Sequence, residues 1–284
     1  MSIKNIIKAF ILLCPFNLFA LETATPAFLG ETLIYDGSYQ GRYSFNQKIS
    51  VANIVFSTKK QRVLLPNKQM GIDSTLKIST KHSSFAEAVY PLLFRYRSLY
   101  QLETQRLWLL EKYKKTGRKI RHAIFYADGQ GTILRYRADR LRKKNPLLPH
   151  PIQQWLGNHK IFHLYSKNKK RMDLKALDQM ALINYIRLKQ LKLKACLKLP
   201  TTSGKIQINY TICGKGLKKI KVLGRFQITN KIQFSATEWD EGKIITSHQP
   251  INVWFSIDKY HQPVKFSLQD KTGLYQANLR AIHQ

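Results

Sequence analysis

From Thr32 onward, apolar and polar residues alternate with a period of two. The alternation is clearest in TLIYDGSYQGRYSF, KISVANIVFS, STLKISTK, HAIFYADGQGTILRYRA, LKLKACLKL, KIQINYTI, RFQITNKIQFSA and VWFSIDKYHQPVKFSL. It sends every second side chain to one face of a pleated strand, so each segment reads as an antiparallel strand or hairpin with one side toward a core. The breaks carry turn chemistry: Asp36-Gly37, Pro66-Asn67, Asp128-Gly129, Ser203-Gly204, Glu241-Gly242 and Lys271-Thr272-Gly273. The expected fold is mainly β: one curved antiparallel sheet or half-open barrel.

Two stretches depart from this period. MDLKALDQMALINYIRLKQ spaces Leu174, Leu177, Ala181, Leu182 and Tyr185 near helical repeat behind Asp173, which predicts a capped helix of about four turns on the concave face. SSFAEAVYPLL predicts a short turn of helix stopped by Pro91. A proline-rich basic stretch, LRKKNPLLPHPIQQWLGNHK, reads as an irregular surface crossing. In VWFSIDKYHQPVKFSL, Val253, Phe255 and Ile257 face one way, as do Val264, Phe266 and Leu268, with DKYHQP as the hairpin loop. Pro263 opens a strand, where its missing N–H is tolerated. Trp254 and Asp258 fall on the opposite face.

Composition changes the picture through charge. Forty-eight Lys and Arg against 16 Asp and Glu give a net +32, and residues 112–221 alone hold 28 cations and 4 acids. Such concentration favours anionic partners, phosphates and anionic head groups among them, over cationic or neutral ones. The amino terminus has Lys4 and Lys8 before an apolar run from Ala9 to Ala20, the layout of a cleaved signal peptide over 1–20. The mature chain, 21–284, then reads as a single β-rich domain in the periplasm. Its remaining cysteines, Cys196 and Cys213, fall on one polar face if LKLKACLKL pairs with IQINYTIC around PTTSGK; a one-residue register change would leave them as two free thiols.

Three segments carry a family resemblance: GETLIYDGSYQG at 30–41, DQMALINYIR at 178–187 and VWFSIDKYHQPVKF at 253–266. Together they resemble the landmarks of a bacterial envelope family catalogued as domain of unknown function 3108. Asp178 and Arg187 match its helical landmark, with Ala181 standing in place of a small hydroxyl residue and Gln179 in place of a frequent proline; Trp254, Asp258 and Pro263 match the third. The resemblance implies an exported β-rich protein similar to the half-open barrels that carry lipoproteins, with a helix lidding the concavity. It implies no activity.

Specific chemistry is sparse. The chain lacks a Gly-x-Ser-x-Gly elbow and a Walker loop, and no cofactor is expected. His159 and His163 stand four apart without a nearby carboxylate or cysteine, so no metal is assigned. Asp178 and Arg187 lie two and a half helical turns apart and point to opposite sides, each toward a different part of the sheet, with Arg187 also a ligand-binding candidate. Lys192, Lys194 and Lys198 are expected on one strand face suited to lipid phosphates, and Trp254 covers a seam or lines a cavity. Tyr and Arg interleave in FRYRSLY and ILRYRAD as on single-stranded nucleic acid, but export argues against that partner. The expected function is non-enzymatic: binding a lipid, acyl chain or lipidated partner in an open barrel. Two alternatives are a cavity-free module recognising anionic lipopolysaccharide or phospholipid, and a hydrolase of an envelope polymer.

Overall fold

The computed structural model describes residues 26–284 apart from 66–67, 129, 139–145, 158–160, 168–172, 174, 241–242 and 246–248. The proposed signal peptide, Cys14, His159 and the Pro66-Asn67 turn therefore lie outside the described residues. Sixteen strands form one antiparallel system. They are β1 (Thr32–Gly41), β2 (Lys48–Thr58), β3 (Val63–Leu64), β4 (Met70–Ser79), β5 (Leu92–Gln101), β6 (Arg106–Thr116), β7 (Lys119–Ala127), β8 (Ile133–Arg137), β9 (His163–Lys167), β10 (Cys196–Thr202), β11 (Gln207–Val222), β12 (Arg225–Asp240), β13 (Lys243–Ile245), β14 (Ile251–Ser256), β15 (Pro263–Gln269) and β16 (Gly273–His283).

The spatial order runs β10-β11-β12-β14-β15-β16-β1-β2-β4-β5-β6-β7-β8-β9, with β3 beside β4 and β13 beside β12. First and last strands pair in the middle of the sheet. Its two free edges, β9 and β10, are neighbours in sequence, so the sheet is a barrel left unclosed at one seam. Ala176 and Leu177, from the segment joining them, bridge β6 to β10: Leu107 N–H donates to the Ala176 carbonyl, Thr202 N–H donates to the Leu177 carbonyl, and Leu177 bridges Thr201 in parallel.

Among the described residues three α-helices, besides a 3₁₀ turn at Arg42–Ser44, interrupt the meander. Helix α1 (Ser84–Val89) is capped by the Ser83 hydroxyl, which accepts from Ala86 N–H, and it stops before Pro91 as its sequence predicts. Helix α2 (His150–Leu156) occupies part of the stretch expected to be irregular. There Pro151 in the first turn presets a helical φ, so proline starts this helix instead of preventing it. Leu148, Leu156 and Phe162 pack with Trp108, Leu109, Ile124 and Tyr136 into a second core on the outside of the sheet. Helix α3 (Gln179–Lys189) runs through the concave interior. It is shorter than the four turns expected, because Asp173 caps only a local turn through Lys175 N–H, while Asp178 is the N-cap.

Two further departures concern local pattern. Asp36-Gly37 lies inside β1, at a bulge against β2, where a Cβ on Gly37 would stand 3.0 Å from the Ala52 carbonyl oxygen. Glycine serves there for close backbone approach, not for a turn. The alternation of LKLKACLKL begins before its strand does: Lys192 and Lys194 sit in the turn after α3, Lys194 with a positive φ of 61°, and only Lys198 is on β10. The three lysines are therefore not one row. Ile257 is likewise an exposed loop residue rather than a continuation of β14.

Candidate functional site

The interior is organised by what holds α3. At its start the buried Asp178 carboxylate accepts from Met180 N–H (2.8 Å), Ala181 N–H (3.4 Å) and the Ser98 hydroxyl of β5. Burial raises its pKa, partly offset by those donors. Midway, Asn184 Nδ2 donates to the Tyr100 hydroxyl at 2.6 Å, and Tyr100 continues through Ser74 (2.8 Å) to Thr58 (3.0 Å). This chain ties the helix to β5, β4 and β2. At its end Arg187 pairs with Glu31 at 2.7 Å, both side chains almost wholly buried, and donates to the Tyr260 carbonyl at 3.1 Å. Burial holds the Tyr35, Tyr96 and Tyr100 hydroxyls above the ordinary phenol range, so they remain neutral.

The three segments that carried the family resemblance meet at this last node. Glu31 comes from the first and Arg187 from the second. Tyr260 and Gln262, whose amide donates to Glu31, come from the third. Tyr35 donates to the Pro263 carbonyl at 2.6 Å. Asp258 folds the loop that presents them, accepting from Ser256 Oγ, Tyr260 N–H and His261 N–H. Asp178 thus contacts β5, whereas Arg187 contacts the residue before β1 and the β14–β15 loop.

Opposite these anchors lies an apolar cavity of about 390 Å³. Its helix side is Gln179, Met180, Leu182 and Ile183; its wall includes Tyr35, Ile54, Phe56, Leu76, Tyr210, Phe234, Val253, Phe266 and Ala277. A second, more polar hollow of about 640 Å³ shares Tyr210, Phe234 and Ile251 with it and adds Gln249, Asp270 and Lys271. Beside the seam, Lys112 Nζ donates to the Ser203 carbonyl at 2.7 Å and lies 5.2 Å from the Tyr96 ring. Burial pushes its pKa down to about 8.

Most residues singled out from sequence stand elsewhere. Trp254 does not line the cavity; its ring lies 5.3 Å from Lys231 Nζ and 5.2 Å from Lys265 Nζ, its neighbours on β12 and β15. Arg187 is committed to Glu31 and Tyr260. Cys196 and Cys213 pair directly across β10 and β11 and form a disulfide. Among the described residues no three His, Cys, Asp or Glu side chains cluster to hold a metal, and no helix is long and apolar enough to cross a membrane.

Sequence reasoning missed Glu31, Asn184 and the Tyr100–Ser74–Thr58 chain. A lone Asn inside an otherwise apolar helix face was the available signal, since a buried amide requires partners.

No known family model matches the chain, and no curated protein does. Solved structures similar to it include a β-barrel-like protein of domain of unknown function DUF1849 from Brucella abortus, with 8% identity and a TM-score of 0.48 over 90% of this chain and 97% of that one. Another is a protein with a YmcC-like fold from Bacteroides fragilis NCTC 9343, with 8% identity and a TM-score of 0.30 over 90% of this chain and 96% of that one.

Proposed function

We propose that this is a non-enzymatic, exported protein of the bacterial envelope, akin to the domain of unknown function 3108 family, which holds an acyl chain or the lipid anchor of a partner protein in its barrel. The observation that carries the reading is the cavity between α3 and the sheet. Its size falls within the range of small-molecule sites, and its lining is almost entirely hydrocarbon. Burying an alkyl tail there gains ~0.8 kcal/mol per methylene. The adjoining polar hollow, with Gln249 and Lys271, suits the head group of an amphiphile.

Native mass spectrometry of gently purified protein tests the proposal. Adducts of lipid mass are expected on the wild type, and Ile183→Trp, which places an indole in the cavity, should remove them while leaving the fold intact. Clean apo protein in repeated preparations, or adducts unchanged in Ile183→Trp, would refute it.

A further inference from the structure

Between Asp178 and Glu238 the chain has twelve Lys and Arg and no acidic residue. Half of that interval is the β11–β12 hairpin. Strand β10 pairs with β11 only through Cys213, and β14 pairs with β12 only from Thr229. The hairpin from Lys215 to Ile228 therefore extends past both lateral neighbours as a two-stranded ribbon.

Cross-strand register sorts its side chains. Gly216↔Lys231, Ile220↔Gln227 and Val222↔Arg225 share one face, and Val222 is buried in the main core with Ile220 packed against it. Leu217↔Asn230, Lys219↔Ile228 and Lys221↔Phe226 share the other. That second face is wet: Phe226 is 69% exposed, Leu217 50% and Ile228 42%. Its two lysines alternate with these apolar groups, Lys219 Nζ lying 5.5 Å from the Phe226 ring. Lys218, opposite Thr229, and Arg225 belong to the first face, and with Lys215 at the bulge they add exposed cations flanking the second.

We propose that this outer face of the β11–β12 hairpin docks the protein on an anionic lipid bilayer surface, with Phe226, Leu217 and Ile228 entering the headgroup boundary and the cations meeting lipid phosphates. Charge complementarity selects that occupant: Lys219 and Lys221 stand among the exposed apolar side chains of this face, Lys215, Lys218 and Arg225 flank it on the same ribbon, and no acid interrupts them, which matches an interface that is negative above and hydrocarbon below. Lysine stems reach past the apolar residues and keep their ammonium groups at phosphate level. The inference does not depend on what the barrel cavity holds.

Flotation with phosphatidylglycerol–phosphatidylcholine vesicles, and with pure phosphatidylcholine vesicles, tests it on the purified full chain. Binding should occur only to the anionic vesicles and weaken with salt. Lys219→Gln with Lys221→Gln should cut partitioning about thirtyfold, the equivalent of ~1 kcal/mol per lysine. The same charge change on the β6–β7 hairpin, Lys119→Gln with Arg121→Gln, should cut it less than about threefold. Phe226→Ser with Ile228→Ser should lower it about tenfold at unchanged charge. Because all these side chains are exposed, unchanged urea midpoints are expected. Absence of wild-type binding, equal losses from the two charge pairs, or full binding by the Phe226/Ile228 double variant would each overturn the proposal.

Discussion

Replacing Arg187 by Met strips one partner from the ion pair that ties α3 to the first and third landmarks. Arg187 and Glu31 side chains are only 1% and 2% exposed, so the carboxylate left behind cannot reach water and, among the described residues, keeps the Gln262 amide as its side-chain donor. Orphaning a buried charge in this way costs ~3–5 kcal/mol, and Glu31→Leu should cost a similar amount by stranding the guanidinium. If the two effects were independent, the double variant would lose roughly 6–10 kcal/mol. The pair is coupled, however, and removing both charges eliminates the unpaired ion. What remains is the lost donor at the Tyr260 carbonyl and the lost acceptor of Gln262, together about 2–4 kcal/mol. Urea unfolding of the four proteins, compared through midpoints at constant slope, gives the coupling directly. A value of at least ~2 kcal/mol is expected. Additive single effects, or an Arg187→Met cost below ~1 kcal/mol, would show that the node is not what secures the helix.

Two further outcomes follow from the structure. Lys112 releases its proton in the folded state near pH 8 but near its ordinary, higher pKa when unfolded, so between these values the unfolded chain binds the extra proton and stability rises with pH. Lys112→Met should lose that rise: from pH 7.5 to 10 the wild type should gain about 2 kcal/mol relative to the variant in urea midpoints, and parallel curves would contradict the assignment. The disulfide closes a loop of 17 residues' separation, and Cys196→Ser with Cys213→Ser should lower stability by ~3 kcal/mol, with equal stability of oxidised and reduced wild type as the contrary result.

Strand alternation was readable because each strand has one face on a core, and the period survives any register. Features that depend on which strand lies opposite were not. Asp36-Gly37 has turn composition, yet Gly37 is needed where the Ala52 carbonyl presses close inside a strand. Two aspartates precede the helical pattern, and only tertiary burial beside Ser98 makes Asp178 the cap rather than Asp173. In Leu191–Leu199 the alternation is real, but Lys194 takes a left-handed backbone and ends the row of lysines before it forms. Glu31 sat within a quoted landmark without being singled out, because its partner is 156 positions away and nothing local announces the pair.

The cavity itself follows from where the polar anchors lie on α3. Ala181 and Asn184, three apart, form a stripe turned to β4 and β5, where Tyr100 and Ser74 wait. Gln179 and Ile183, four apart, form another stripe that lines the cavity, together with Ile54 and Phe56 of β2, Leu76 of β4 and the far wall of β12, β14, β15 and β16. Directional bonds draw the helix to the first wall, and a helix drawn to one wall of a wide barrel cannot also close on the other. Residues of that far wall, Phe234, Val253, Phe266 and Ala277, offer α3 only dispersion and desolvation, which do not specify position. An apolar gap is the consequence, and its width is governed by the tethers rather than by the lining. A variant that loosens Asn184 or Arg187 should therefore alter the cavity without touching any residue that lines it.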